Sequence, residues 1–143
     1  GSSLTASDLN KIESAIASLA DSVNVLRKAA FVRTFLYSNA NGTSNSVTLT
    51  ASANQYSYIE IKITNSQGNI GYVKTVPDKV AYFTSHGVTS NTTWVTFGTV
   101  YCNGTNARIT SQINMPITAY KWESGAGNID SYITEVIGYK TLE

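Results

Sequence analysis

Residues that could act as acids or bases are few in this 143-residue chain and are scattered along it. Hydrolysis of a glycan by the usual route needs two carboxyl groups about 5 to 9.5 Å apart. Beyond residue 30 the acids show no suggestive pairing: Glu60, Asp78, Glu123, Asp130, Glu135 and Glu143. Glu60 and Lys62 lie on one side of a predicted strand, and we interpret them as a solvated ion pair.

The single histidine and the single cysteine do not form a recognisable centre. His86 lies in a predicted loop, residues 84–87, and is interpreted as a surface residue. A Ser-His-Asp triad stays open, because its members need not be neighbours in sequence. Cys102 has no cysteine to pair with, which excludes an intrachain disulfide and a cysteine-based zinc site and predicts a partly buried apolar side chain. We expect a non-enzyme without metal or cofactor.

Residues 119–128 combine the groups that sugar sites use. Such sites set an aromatic face against the apolar side of a pyranose, beside short polar donors and acceptors, and they lie mostly on loops. The alternative is that the tryptophan of this segment only caps the edge of the core. The predicted ligand-binding residues are Tyr120, Lys121, Trp122, Glu123 and Asn128. We expect Trp94 in the core, and three tyrosines in the core or between subunits: Tyr82, Tyr101 and Tyr132.

The composition favours strands and turns with a neutral surface. Charged residues make up 13% of the chain, apolar residues 42%, and Ser, Thr and Asn together roughly a third. The net charge is +1 and basic residues do not cluster beyond Arg27 and Lys28, which argues against nucleic-acid binding. No apolar stretch approaches the roughly 20 residues of a membrane span, so we expect no membrane insertion.

The first thirty residues carry an uninterrupted heptad pattern. Apolar residues recur at alternating spacings of three and four over about three heptads: Leu9, Ile12, Ile16, Leu19, Val23 and Leu26. Thr5 is the predicted N-cap, with Asp8 in the acid-favouring first turn. The apolar stripe is narrow, so self-association in parallel is the natural way to bury it. The alternative is a helix lying across the β domain. The residue types do not decide between two and three helices.

From residue 31 onward the period changes to two, which predicts antiparallel strands. Three runs show clean alternation: Ile59, Ile61 and Ile63; Val47, Leu49, Ala51 and Ala53; and Ile109, Ser111, Ile113, Met115 and Ile117. We expect the residues named in each run to face a core, with the residues between them facing outward. Residues 31–37, 94–101 and 132–139 carry apolar groups on both faces, typical of strands covered on both sides.

About eight or nine strands separated by Asn- and Gly-rich turns predict a β-sandwich, jelly-roll-like in its strand number. The expected fold class is mainly β, with an N-terminal coiled-coil stalk and an antiparallel sandwich head. The expected division is residues 1–3 as a tag scar on an excised fragment, 4–30 as the stalk helix and 31–143 as the head.

Two end motifs resemble the C-terminal shoulder and head of bacteriophage tail-fibre and receptor-binding proteins. One is residues 4–13, LTASDLNKIE, which open the heptad helix; the other is residues 133–140, ITEVIGYK. The resemblance covers the whole chain as architecture and only these motifs as sequence. It implies a homotrimer at the tail tip of a virion, outside the cell, joined to an upstream tail or baseplate protein. The implied ligand is a saccharide or teichoic-acid-like polymer of a bacterial surface.

The resulting hypothesis is a non-catalytic receptor-binding head that uses trimer avidity for host attachment. Two alternatives remain. One is a structural tail or capsid decoration protein without its own ligand. The other is a carbohydrate-binding module that binds sugar without needing the helix.

Overall fold

The computed structural model describes residues 3–89, 92–118, 121–122 and 130–141. The chain divides into two compact units. The helical unit comprises Gly1–Val32 with Thr141–Glu143, and the β unit comprises Arg33–Lys140. The prediction of a mainly β chain with one N-terminal helix is confirmed. Among the described residues, no helix combines the length and apolar character needed to cross a bilayer.

The helix α1 spans Ala6–Ala29 and begins with the predicted cap. The Asp8 backbone N–H donates to Thr5 Oγ1 at 3.1 Å, and the Thr5 backbone N–H donates to Asp8 Oδ2 at 3.0 Å. This reciprocal capping box satisfies two backbone N–H groups at the helix start. The helix ends where Ala30 becomes extended, its N–H still donating to Leu26 O at 3.0 Å.

In the part of the chain that the structure describes, nine strands form two antiparallel sheets. Sheet A has the order β1-β9-β3-β4, and sheet B has the order β2-β7-β6-β5 with β8 also paired to β7. A short 3-10 helix, Ala53–Gln55, follows β2. The strand bounds are β1 Phe31–Ser38, β2 Ser46–Thr48, β3 Tyr58–Asn65, β4 Ile70–Thr75, β5 Val80–Thr89, β6 Thr92–Asn103, β7 Asn106–Thr118, β8 Lys121–Trp122 and β9 Ser131–Thr141.

The core lies between the two sheets, which makes the β unit sandwich-like. Sheet A contributes the predicted inward set Ile59, Ile61 and Ile63, each at most 1% exposed. Sheet B contributes Val47 and Val100 to the same buried cluster. The alternation predicted along β3 is confirmed, because one face of this strand is covered by the other sheet. The run predicted over 47–53 is a strand only in Ser46–Thr48, because the chain leaves the sheet there and Ala53 begins the 3-10 helix.

The connections differ from those of a jelly roll, in which most successive strands alternate between the two sheets. Here β3 and β4 form a hairpin within sheet A, and β5, β6 and β7 form a meander within sheet B. Tight turns make these local pairings possible. Gly68 (φ 81°) and Gly104 (φ 54°) adopt the left-handed conformation that glycine tolerates without steric cost.

The alternation predicted for β7 is wrong beyond Thr110. In the register with β6, Thr99 opposes Ser111 while the next residue, Val100, opposes Ile109, so Thr110 is an extra residue. Such a bulge moves every following side chain to the opposite face. Ile113 is consequently 64% exposed on the outer face instead of buried.

Two smaller predictions are corrected by strand pairing. His86 lies in the middle of β5, opposite Val95, and not in a loop, although it is exposed as expected. Glu60 Oε2 lies 3.9 Å from Nζ of Lys74, the residue directly opposite Glu60 on β4. Glu60 therefore forms its ion pair with Lys74 and not with Lys62. In both cases the pairing between strands sets the position or partner of the residue, and the local sequence does not specify this pairing.

A polar cleft beside strand β7

A polar cleft lies along the part of β7 that is not covered by a neighbouring strand. On this side, among the described residues, β2 pairs with the first residues of β7, Asn106 to Arg108, and β8 pairs with the last two, Ile117 and Thr118. Between these pairings a cleft of about 710 Å³ opens, within the range of about 300–1,000 Å³ for ligand pockets. Its lining residues are Thr43, Ser44, Asn45, Ile109, Thr110, Ser111, Gln112, Asn114, Asp130, Ser131 and Tyr132.

Backbone hydrogen bonds hold the walls of the cleft together. Ile109 N–H donates to Asn45 O at 2.7 Å, and Ile133 N–H donates to Ser44 O at 2.9 Å. The segment 43–45 thus bridges β7 in sheet B and β9 in sheet A. Because both ends of the bridge are anchored in strands, the cleft is built on rigid elements.

The bulge at Thr110 places polar side chains on the cleft side of β7. With the register shifted, Gln112 and Asn114 point inward and are half-buried. Gln112 Oε1 accepts from the Ser131 backbone N–H at 3.2 Å, which joins β7 to β9. Asn114 Oδ1 accepts from the buried Thr96 hydroxyl at 2.6 Å. These amides brace the cleft floor, because buried polar groups that are hydrogen-bonded fix each other's orientation.

The β9 wall offers the side chains of Asp130 and Tyr132 to a ligand, while the Ser131 side chain between them is buried. Ser131 is 4% exposed, and its Oγ has no hydrogen-bond partner among the described residues. The Tyr132 hydroxyl donates to Asp130 Oδ2 at 3.5 Å. Partial burial, with a smaller effect of the Asp130 carboxylate, raises the pKa of Tyr132 above its usual 10.0. The phenol is therefore protonated at neutral pH and acts as a hydrogen-bond donor.

The cleft is equipped for hydrogen bonding. Asp130 is the one carboxylate among its eleven lining residues, and Ile109 is the one apolar residue. A pair of carboxyl groups or a serine–histidine pair is not found in this lining. Within the described part of the chain, no group of three His, Cys, Asp or Glu residues is arranged to hold a metal ion.

The cysteine and the other predicted core aromatics lie away from the cleft lining. Cys102 is fully buried, beyond the partial burial expected, and this burial raises the pKa of its thiol to about 11. Trp94 is half-buried, as is Tyr101, whereas Tyr82 is 80% exposed and is not a core residue of the β unit. Tyr82 remains a predicted inter-subunit contact.

The predicted ligand-binding segment lies next to the cleft in sequence, and its contribution stays a prediction. Lys121 and Trp122 form β8 and pair with Thr118 and Ile117 of β7. The other three residues predicted there, Tyr120, Glu123 and Asn128, lie outside the described residues. The cleft itself was missed, because its residues come from three separate parts of the chain. The sequence predicts Tyr132 in the core or at a subunit contact, and the structure places it in the cleft lining.

The predicted self-association seam is exposed along the whole helix. Its six residues are between 41% and 69% exposed: Leu9, Ile12, Ile16, Leu19, Val23 and Leu26. A helix of 24 residues with an unburied apolar stripe gains little from folding alone. The coiled coil and the number of helices in it remain predictions.

Comparison with known proteins adds no assignment. No protein-family model matches the chain, and no curated protein is significantly similar to it in sequence.

Proposed function

We propose that this chain is the non-catalytic receptor-binding part of an attachment fibre. In this proposal three copies associate in parallel through α1, and each β unit binds a saccharide of a bacterial surface in the cleft beside β7. The location, at the tail tip or fibre of a bacteriophage outside the cell, and an upstream tail or baseplate partner rest on the resemblance of the end motifs.

The observation that carries the proposal is the chemistry of the cleft lining. Ten of its eleven residues offer a hydroxyl, amide or carboxylate group, and the half-buried ring of Tyr132 adds an aromatic surface. Sugars are recognised by this combination of converging polar groups and an aromatic face. A single carboxylate without a second acid in the lining favours binding over glycoside hydrolysis.

The exposed seam of α1 supports multivalent binding. Burial of six apolar residues per helix would stabilise an oligomer. Along the chain, Ala30 alone separates α1 from β1. Weak single sites on one oligomer act together, and the apparent affinity for a cell surface can then rise by roughly 10²–10⁴. Attachment to a repetitive surface polymer uses this effect.

Light scattering of the intact chain tests the oligomer. We expect a mass about three times the 15.4 kDa of one chain. The double variant Ile16→Asp plus Val23→Asp, which puts charges into the seam, should run as a monomer. A control that adds the same charge away from the seam, Ser14→Asp plus Asn24→Asp, should remain a trimer. A monodisperse wild-type monomer at micromolar concentration would remove the fibre from the proposal.

Adsorption to bacterial cells tests the function. The seam double variant should lose roughly 10²–10⁴-fold in apparent affinity for cells and keep its affinity for a soluble monovalent sugar. Equal losses in both assays would contradict the avidity account. An intact trimer that adsorbs to no cells and binds no glycan on an array would instead indicate a structural protein without its own ligand.

A further inference from the structure

We infer that the cleft beside β7 selects an uncharged saccharide and rejects phosphate-bearing wall polymers. This inference rests on the proposed function and names the ligand class of the same site. The proposed function alone leaves both classes open, since saccharides and teichoic-acid-like polymers are both bacterial surface polymers.

The charge of the lining carries the first step. None of the eleven lining residues is a lysine, an arginine or a histidine, and Asp130 contributes a negative charge. Phosphate sites in proteins use arginine or lysine side chains or the N-terminus of a helix. No helix begins in this lining either, which consists of strand residues and the segments before β2 and β9. A phosphate placed here would face the Asp130 carboxylate, with no cation among the described lining residues to compensate it.

The hydrogen-bonding groups carry the second step. The Asp130 carboxylate accepts hydrogen bonds from hydroxyl groups, and the Tyr132 phenol, which remains protonated at neutral pH, can donate one. The carboxylate and the phenol, which meet across two residues of the chain, can bond neighbouring hydroxyl groups of a sugar ring.

Two amide side chains fix the floor of the cleft before a ligand binds. Gln112 and Asn114 already hold Ser131 N–H and Thr96, so they act as positioning residues that fix the floor of the site. A site whose polar groups are fixed before binding discriminates against ligands that cannot satisfy them. A phosphodiester brings only hydrogen-bond acceptors, and its anionic oxygens would lie next to Asp130.

Titration calorimetry on the intact trimeric chain tests the inference. The probes are neutral oligosaccharides of glucose, galactose and N-acetylglucosamine, and poly(glycerol phosphate) matched in chain length. We expect at least one neutral oligosaccharide to bind at least about tenfold more tightly than the phosphate polymer. Because the bound sugar is uncharged, raising the salt from about 50 to 500 mM should change its affinity less than about twofold.

Cleft variants with matched controls locate the binding. Asp130→Asn should weaken neutral-sugar binding about tenfold, the loss of one charge-assisted hydrogen bond, and Tyr132→Phe roughly two- to tenfold. Asp21→Asn on the helix and Tyr72→Phe on exposed β4 make the same chemical changes outside the lining and should have no effect. Thermal unfolding of each variant checks that the fold is kept.

The outcomes separate this inference from the proposed function. Salt-sensitive binding of the phosphate polymer to the wild-type chain, tighter than that of every neutral probe and unchanged by Asp130→Asn, would overturn the selectivity while the attachment function stands. Phosphate-polymer binding abolished by Lys74→Ala on the outer face of sheet A would overturn the cleft as the site. Binding of neither probe class, together with no adsorption to cells, would overturn the proposed function itself.

Discussion

The Thr99 hydroxyl lies 2.6 Å from the Ser111 hydroxyl on the neighbouring strand, and 2.7 Å from that of Thr110 as well. Two residues of β7 therefore oppose one residue of β6. This bulge turns Ile113 outward and turns Gln112 and Asn114 toward the cleft. One inserted residue thus converts what would be an apolar strand face into the polar floor of the proposed binding site.

The bulge predicts unequal costs for two chemically identical substitutions. Ile61→Ala removes a fully buried side chain from the core and should lower the free energy of unfolding by about 2–5 kcal/mol. Ile113→Ala removes an exposed side chain and should cost less than about 1 kcal/mol. Denaturant unfolding measures both. A cost for Ile113→Ala similar to that for Ile61→Ala would contradict the outward orientation of Ile113.

The close approach of Phe83 to Gly98 predicts that a side chain at position 98 destabilises the fold. A Cβ atom at position 98 would lie 2.2 Å from Phe83 Cζ, and the ring is buried. Gly98→Ala should therefore destabilise the fold by about 1–3 kcal/mol through overpacking. Gly71→Ala in β4 is the control, because its Cβ would meet nothing closer than 3.6 Å. Equal melting temperatures for the two variants would rule out this packing.

The side chain of Gln67 protects the edge of β5. Its Nε2 donates to Val88 O at 2.7 Å, and its Oε1 accepts from the Val88 N–H at 2.6 Å, as a neighbouring strand would. Gln67→Ala should cost about 1–2 kcal/mol and accelerate hydrogen exchange at Val88. Gln67→Glu keeps the acceptor and loses the donor, so it should retain part of the protection. Unchanged exchange at Val88 in both variants would contradict the edge cap.

The buried thiol of Cys102 predicts a strong dependence of reactivity on folding. Burial raises its pKa to about 11, so the reactive thiolate is scarce below that pH and the sulfur is inaccessible. A thiol-reactive dye at pH 8 should label the native chain very slowly and the denaturant-unfolded chain within minutes. Rapid labelling of the native chain would show that the sandwich opens at β6.

The capping box predicts an acid-sensitive helix start. The hydrogen bonds from Thr5 lower the pKa of Asp8 below its ordinary 3.8. A group with a lowered folded pKa stabilises the fold fully above its unfolded value and loses that effect as the pH falls through the folded value. Helicity by circular dichroism should therefore drop more between pH 5 and pH 2 in wild type than in Asp8→Asn. Identical pH profiles would mean that the box is not formed in solution.

Local sequence patterns predicted the elements that are set by local chemistry. The helix start follows from Thr5 and Asp8, which meet each other within one turn. The inward set of β3 follows from uninterrupted alternation under a covering sheet. Tight turns follow from glycines at positions 68 and 104, where the backbone is left-handed.

Features set by distant partners could not be predicted in the same way. The Thr110 bulge depends on how β6 and β7 align, and the run Ile109 to Ile117 alternates in sequence as if no residue were inserted. The cleft joins residues 43–45, β7 and the start of β9, which no spacing rule connects. The sequence signal for a hydrogen-bonding site was limited to the short polar residues of these three segments.

A nuclear magnetic resonance titration of the intact chain with a neutral oligosaccharide that it binds tests the central claim most directly. The account predicts that the largest shift changes fall on backbone and side-chain amides of the cleft, at Asn45, Gln112 and Ser131. Changes confined to the outer face of sheet A, around Tyr58 and Lys74, would contradict it, since a ligand there would leave the cleft beside β7 without the role proposed for it.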